Sequence, residues 1–486
     1  MSTVCGLIPA AGRGMRAHPY TKRYPKCMLE IDGRPNLLRN IQLMRDAMNI
    51  SNIFIVVGHY SEVIKDYFGD GSHLNVKLSY IDNDCLKKGL AYSVLLGKRY
   101  INDHFCVLLG DECYVDSNHQ RLLATDFRNA LVTLGVMEVD NRDLIRENYS
   151  VQINNGRIVK ITEKPKNVNN ELLGTGTFIF SPNIFDCIER SFNISMNAEV
   201  DLITLINELG SRGEIIKYFK IRGGYANIND RDSFELAKYE VRTRKFSKYK
   251  ISLLIYSEGN EEDIVFTVKE YIKSKELSDI SVVVPHKNVV EDNLKKLGVR
   301  IIKCPEGLDL YGERIKYALD IIGGDILVLT EASYSFPRQD LSKVLLYINE
   351  GDMVLGTRTT RQLIRQRSHM RGMVRASNVF LAKLLQVFWW GLGCRFTDVG
   401  CTLRALWRCS YEGIKEHLDS AGPEFSVEMT VELLKRRGRV IEVPVNYYGR
   451  SYALYRRYRN PKTFLKMLYV IVSKSVIHYV RFWRTI

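Results

Sequence analysis

No CxxC pair occurs anywhere in this chain. Its ten cysteines (Cys5, Cys27, Cys85, Cys106, Cys113, Cys187, Cys304, Cys394, Cys401 and Cys409) lie scattered along it. That spacing argues against a zinc ribbon or finger, and it fits reduced thiols in a cytosolic protein better than a disulfide framework. There is no charge-free apolar run of about 20 residues, so no transmembrane helix is expected. The opening MSTVCGLIPAAGRG lacks the basic-then-apolar layout of a secretory signal and runs straight into a buried-strand pattern. Nothing in the composition indicates disorder or a fibrous repeat.

What is present can fill two ordinary cores: 486 residues, 45% hydrophobic and 26% charged. The net charge of +15 is unevenly placed. Residues 1–245 carry 32 basic against 29 acidic side chains, whereas residues 246–486 carry 38 against 26. An anionic membrane surface or a phosphorylated ligand accounts for such an excess. Nucleic acid is not expected as a partner, because no helix-turn-helix, zinc-finger or RNP-like pattern accompanies the charge.

The first half alternates short apolar runs with helical periodicity, which predicts an α/β unit with a mainly parallel sheet. Strands are predicted at Val4–Pro9, Ile53–Val57, Val76–Tyr80, Phe105–Leu109 and Ala130–Met137, and an amphipathic helix over Asn36–Met48. The basic, polar stretch Arg242–Lys250 interrupts the pattern and marks a boundary. A second α/β series then opens at Ile251–Tyr256. The expected fold class is therefore α/β with two Rossmann-like domains, 1–245 and 246–460, followed by a C-terminal amphipathic helix over 461–486. The two domains have related architecture but different motifs.

The strongest motif runs from Leu7 to Arg16 (LIPAAGRGMR) and continues at Tyr24–Met28 (YPKCM). A buried strand ends in small residues at Ala10, Ala11, Gly12 and Gly14. Such a loop lets backbone N–H groups approach phosphates without obstruction. Arg13, Arg16 and Lys26 add positive charge where a triphosphate and departing pyrophosphate would lie. No convincing Ser/His/Asp arrangement accompanies this loop, and His18, His59, His73 and His104 read as surface or packing residues.

These motifs, with PKCMLEIDGRPNLLRN after them, resemble the sugar-phosphate nucleotidylyltransferases, including their phosphocholine cytidylyltransferase branch, over residues 4–240. The resemblance implies a nucleotidyltransferase that joins an NTP to a sugar 1-phosphate or similar phosphorylated small molecule. It makes Asp111, in Leu109-Gly-Asp111, the ligand of a catalytic Mg²⁺ (or Mn²⁺). It makes Lys164, in Glu163-Lys-Pro165, the contact to substrate phosphate, and it puts Gly176 of Gly174–Phe178 in the sugar pocket. Asn227 stands where many members carry a second metal-binding aspartate; an amide oxygen can ligate the ion but brings no charge, and the adjacent Glu112 is a candidate to compensate. Asn83 and Gly89 occupy the base-reading segment, with CTP or UTP preferred. No general base is needed, because the attacking phosphate oxygen is already anionic.

Residues 251–450 resemble the family 2 glycosyltransferases that act on polyprenyl phosphates, which implies a GT-A-like fold and a nucleotide-activated donor. Asn260 and Glu261 match the nucleotide-pocket segment, Glu331-Ala332-Ser333 the metal-binding D-x-D with Glu331 as its remaining acid, and Asp398 the acid near the acceptor. Arg371 and Arg375, at i,i+4 spacing, form a candidate phosphate clamp. On the helix Pro461–Trp483, Lys466, Lys474, His478 and Arg481 share one face. Two readings stand for it: an interfacial helix on anionic lipid, or a terminal helix docked on the domain core. The expectation for the whole chain is a cytoplasmic bifunctional enzyme, peripheral on the inner face of the cell membrane. The alternative is a nucleotidylyltransferase carrying a catalytically degenerate, membrane- or ligand-binding module.

Overall fold

The computed structural model describes residues 4–483 apart from 18–19, 22–23, 169–171, 195–198, 259, 287–296, 334, 364–369, 371 and 449–459. The chain divides into two compact units, Met1–Arg244 and Lys245–Ile486.

The first unit is built on a nine-stranded sheet. In chain order its labelled strands are β1 (Cys5–Pro9), β2 (Asn52–Val57), β3 (Lys77–Asp82), β4 (Phe105–Leu108), β5 (Glu112–Val115), β6 (Val132–Glu138), β7 (Tyr149–Asn154), β8 (Arg157–Glu163), β9 (Leu172–Phe180), β10 (Ile216–Lys220) and β11 (Gly224–Asn227). The order across the sheet is β8-β7-β9-β4-β1-β2-β3, with β6 pairing β9 and β10, and β5 forms a separate antiparallel ribbon with β11. Strands β3, β2, β1 and β4 run parallel. Beyond β4 the sheet is mixed: β9 is antiparallel to β4, β6 and β7. The expectation of a mainly parallel sheet is thus corrected. Hydrophobic runs locate strands but carry no record of which neighbour each one meets.

Helix α1 (Asn36–Met48) has the predicted bounds. Leu37, Ile41, Met44 and Met48 are buried at i, i+4, i+7 and i+11, each worth roughly 1.5–3 kcal/mol of burial. The helix stops at Asn49, whose φ of 55° places it in the left-handed region that asparagine tolerates. The basic stretch Arg242–Lys250 is not simply a linker. A helix continues through Lys245, and the Arg242 guanidinium is buried against Asp32 at 2.8 Å.

The second unit contains a seven-stranded sheet: β12 (Ile251–Tyr256), β13 (Asp279–Val284), β14 (Arg300–Lys303), β15 (Ile326–Glu331), β16 (Met353–Thr357), β17 (Arg404–Trp407) and β18 (Val440–Pro444), in the order β14-β13-β12-β15-β17-β16-β18. Here too the first four strands are parallel, β17 runs antiparallel to β15 and β16, and β18 is parallel to β16. The same succession and directions occur in β3-β2-β1-β4-β9-β6-β10. The two sheets therefore share a topology although their motifs differ.

Helices α2 (Glu261–Tyr271), α3 (Gly372–Phe388), α4 (Phe425–Lys435) and α5 (Pro461–Trp483) belong to this unit. α5 is docked on the core: Met467, Val470 and Ile471 are buried, and Trp389 donates its ring N–H to Ser475 at 3.1 Å. Lys474 does not face outward with Lys466. It turns onto the acidic face of α4, 2.5 Å from Glu428 and 3.1 Å from Glu432. The expected four-cation face is corrected accordingly, because buried carboxylates at i,i+4 on α4 demand a counter-charge. The side chains of His478 and Arg481 lie outside the described residues. Among the described residues no helix is long and apolar enough to cross a membrane.

Candidate active site

In an open α/β sheet, loops beyond the carboxyl ends of strands converge where the strand order reverses. In the first unit that point lies between β1 and β4. A cavity of about 470 Å³ opens there, lined among others by Pro9, Ala11, Gly12, Arg13, Asn83, Gly89, Ser93, Leu109 and Asp111. It is large enough for a nucleotide. The loop after β1 is anchored at its start by Ala10 N–H donating to Val56 O at 2.8 Å. Gly14 has φ +61°, and a Cβ there would stand 3.1 Å from Lys26 and Thr21; Gly12 faces open space instead. Among the described residues only a short 3₁₀ turn, Met15–Ala17, follows the loop directly, so the cations near it are side chains.

Those side chains converge. Lys26 Nζ forms an ion pair with Asp111, and it also reaches Asn229 Oδ1 at 3.4 Å. Arg16 Nη2 donates to the same Asn229 oxygen at 3.2 Å. Asn229 was not singled out from the sequence. The only signal was its place two residues beyond Asn227.

Asp111 sits beside the β11 end, where Ile228 N–H donates to Asp111 O at 2.8 Å and Asn227 is in register with Glu112. The Asn227 amide gives its N–H to Asn148 Oδ1 at 2.7 Å, while its Oδ1 is buried without a hydrogen-bond partner. An orphaned buried acceptor next to a carboxylate is a ready oxygen donor for a cation. Among the described residues no group of three or more His, Cys, Asp or Glu comes together to hold a metal.

Glu112 does not supply the missing charge. Its side chain is buried and accepts hydrogen bonds from Tyr114 OH, Tyr225 OH (2.7 Å) and Gly176 N–H (2.7 Å). Burial pushes its carboxyl up to about 7, against the opposing pull of those donors. Gly176 is likewise committed within the protein, since a Cβ there would meet Leu109 at 2.4 Å and Glu112 at 2.8 Å. Gly174 faces the Tyr149 ring, which a Cβ would overlap at 1.8 Å.

Asn83 is buried with both ends of its amide used: Nδ2 donates to Ser93 Oγ at 3.0 Å and Oδ1 accepts from Cys85 N–H at 2.9 Å. Gly89, at φ +77°, lies against the Glu199 carboxylate. Lys164 has a left-handed φ of +41°, held by its N–H donating to Asn148 O at 2.7 Å. Asn148 therefore connects Lys164 to Asn227. Glu163 pairs with Lys164 at 3.6 Å, and burial with nearby Asp201 raises its carboxyl above the usual range.

In the second unit the predicted residues are mostly committed to the fold. Asn260 caps α2, accepting from Asp263 N–H at 3.2 Å, with Glu261 in the first turn. Asp398 is wholly buried and takes a bidentate grip from Arg358, Nε at 2.7 Å and Nη2 at 2.8 Å. The acid read as lying near the acceptor is thus half of a buried ion pair, a partnership that 40 residues of separation conceal in the sequence. Arg375 donates to Thr359 O at 3.1 and 3.3 Å; Arg371 lies outside the described residues. Glu331 ends β15 and is buried.

The backbone register relates this strand end to the first unit. Gly110 N–H donates to Pro9 O at 3.2 Å, and Ala332 N–H donates to Tyr256 O at 2.7 Å. The residue that follows is Asp111 in one unit and Ser333 in the other.

Glu442 accepts from Thr397 N–H, Thr397 Oγ1–H and Asp398 N–H at 2.7–2.9 Å, and burial raises its carboxyl to about 7. The folded state then holds a proton that the unfolded chain has released between pH 4.5 and 7. Stability of the second unit should fall as pH rises through that window. Denaturant titrations of wild type and Glu442→Gln at pH 5 and pH 7.5 check this: the wild-type slope, on the order of 2–3 kcal/mol across the window, should flatten in the variant.

Residues 5–244 match the family model described as Nucleotidyl transferase, so the first unit carries a nucleotidyltransferase domain. A "Bifunctional protein GlmU" of Methanococcus aeolicus is 33% identical over 224 residues, covering 46% of this chain and 50% of that protein. "UTP--glucose-1-phosphate uridylyltransferase AglF" of Haloferax volcanii is 28% identical over 241 residues, covering 49% of this chain and 98% of that one. Among solved structures, a glucose-1-phosphate thymidylyltransferase from Bacillus anthracis aligns with TM-score 0.46 at 23% identity, covering 49% of this chain and 96% of that one. The chain spans about half the length of the GlmU relatives it matches.

Proposed function

We propose that the first unit transfers a nucleotidyl group from an NTP, CTP or UTP by preference, to a sugar 1-phosphate or similar phosphorylated small molecule. The observation that carries this reading is the convergence of Arg16 and Lys26 on Asn229, with Lys26 also on Asp111, at the rim of a nucleotide-sized cavity. A substrate phosphate oxygen attacks the α-phosphorus in line; the new O–Pα bond forms as the Pα–O bond to pyrophosphate breaks. Arg13, Arg16 and Lys26 neutralise the triphosphate and the departing pyrophosphate, and the small loop residues Ala10, Ala11, Gly12 and Gly14 leave backbone N–H groups accessible. Lys164 binds the attacking phosphate, and Gly89 and Asn83 border the base.

The donor set fits one hard dication, Mg²⁺ or Mn²⁺: the Asp111 carboxylate and the orphaned Asn227 oxygen, the rest coming from phosphate and water. Bound there, such an ion would withdraw charge from the phosphates. The test is a screen of four NTPs against sugar 1-phosphates, phosphocholine and aminoalkyl phosphonates, reading released pyrophosphate. Release with at least one pair supports the reading; none with any pair contradicts it.

For the second unit we propose a GT-A-like module. The shared strand order and the Glu331-Ala332-Ser333 position support the resemblance to glycosyltransferases. With Ser333 in the place of Asp111, and Asp398 neutralised by Arg358, the reading favoured is a degenerate transferase rather than one that moves a glycosyl group from a nucleotide-activated donor to a polyprenyl-phosphate acceptor. Its attachment to anionic membrane is supported by two helices. On α5, Leu465, Tyr469, Val472 and Val476 are exposed opposite the docked face; on α3, Met373, Phe380 and Val387 are exposed, with Trp390 just beyond. Phe380 lies 6.3 Å from Phe464, so the two stripes adjoin, and Lys462 and Lys466 flank them. Co-sedimentation with vesicles rich in phosphatidylglycerol should exceed that with phosphatidylcholine and fall at least about fivefold in Leu465→Asp/Tyr469→Asp. Equal pelleting of variant and wild type would contradict membrane attachment through this surface.

A further inference from the structure

The loop that carries Asp111 is held from two sides by side chains that no motif announces. From α1, the buried Asn36 donates through Nδ2 to Gly110 O at 3.0 Å and to Glu112 O at 2.8 Å, and Asn40 donates to Leu109 O at 3.0 Å. Three backbone carbonyls of the loop, those of Leu109, Gly110 and Glu112, are thereby satisfied, each by an amide on a helix. From the other side the Glu112 carboxylate collects Tyr114 OH, Tyr225 OH and Gly176 N–H. Tyr114 OH in turn accepts from Thr177 Oγ1 at 2.9 Å, and Thr177 meets His119 at 3.1 Å. The carboxylate therefore ties β5 to β9 and to β11. Asp111 directly precedes Glu112, and Asn227 lies two residues beyond Tyr225.

We propose that Glu112 is a positioning residue: its carboxylate sets the separation of Asp111 from the Asn227 oxygen, and so the geometry of the cation–nucleotide site, without touching substrate. The proposal rests on the nucleotidyltransferase reading above. Its physical basis is that a buried carboxylate with three donors is a stiff, high-stakes node, and that displacing reacting groups by about 1 Å can cost 10²-fold in rate. A purely architectural carboxylate would affect how much protein folds rather than what the folded protein does.

The test compares wild type, Glu112→Gln, Tyr225→Phe and the double variant, each in the full chain and each first shown to melt cooperatively. Pyrophosphate release gives kcat and KM for the active NTP. Glu112→Gln keeps the shape but places an amide N–H₂ against donors. It should lower kcat roughly 10- to 100-fold with KM changed less than about threefold, Tyr225→Phe should lower it less, and the double variant should lose much less than the product of the two. In parallel, Mn²⁺ EPR with CTP and with UTP reads the cation site itself, and the spectrum should change in Glu112→Gln. If wild type releases no pyrophosphate from any NTP, the functional reading falls and the EPR arm alone decides the role of Glu112. A folded Glu112→Gln with wild-type kcat, or with an unaltered Mn²⁺ spectrum where the kinetics cannot be read, overturns the proposal.

Discussion

Asp111→Ala should lower pyrophosphate release by on the order of 10³-fold or more while leaving the first unit folded. Asp111 is partly exposed at the cavity wall, where its carboxylate pairs with Lys26. Its removal frees Lys26 but leaves Asn36, Asn40 and Glu112 holding the loop backbone. What is lost is the carboxylate at the end of the β5–β11 ribbon that carries Asn227, and with it the charge that would hold a dication on the triphosphate. Lys26→Ala should have an effect of similar size for the complementary reason: Arg16 and Arg13 remain, but the cation that faces both Asp111 and Asn229 is gone. Pre-steady-state and steady-state pyrophosphate release, with circular dichroism as a fold control, measure both. Near-normal turnover in either variant would count against the assignment.

The second large effect concerns the other unit and has the opposite character. Asp398→Ala should destabilise rather than disable. The Arg358 guanidinium is buried and its bidentate partner would be gone, which costs about 3–5 kcal/mol when one member of a buried pair is removed. In a unit of this size that corresponds to a fall in melting temperature of roughly 10 °C. The Arg358→Met/Asp398→Leu double variant, which removes both charges, should recover much of the loss. If Asp398→Ala instead melted like wild type and abolished glycosyl transfer from a nucleotide-activated donor, Asp398 would be catalytic and the degenerate reading would fail.

How much of this was legible beforehand varies with the range of the interaction. α1 announces itself through Leu37, Ile41, Met44 and Met48, because helical period and burial are local properties of a short window. The loop around Gly12 and Gly14 was legible for the same reason: small residues after a buried run and basic residues within 20 positions. The same window gave no hint that Asn36 and Asn40, on the same helix, point at the Asp111 loop some 70 residues away. Glu112 read as a candidate to compensate for the uncharged Asn227 because its partners Tyr225 and Gly176 lie 113 and 64 residues off. Asp398 misled in the same manner, its motif being visible and its Arg358 partner not. The mixed sheet was hidden too, since β9 is an apolar run whichever direction its neighbours take. Helix α5 shows an intermediate case: two readings of its cations were open, and Lys474 settled toward α4 because Glu428 and Glu432 are buried there.

Where a nucleotide binds decides the role of the first unit. The most direct measurement is a crystal structure of the full chain with a non-hydrolysable CTP or UTP analogue and Mg²⁺. The nucleotide should occupy the cavity between Gly12, Asn83, Gly89 and Asp111, with Arg13, Arg16 and Lys26 against its phosphates and the ion on Asp111. Nucleotide bound elsewhere, with Lys26 still paired to Asp111 over an empty cavity, would contradict it.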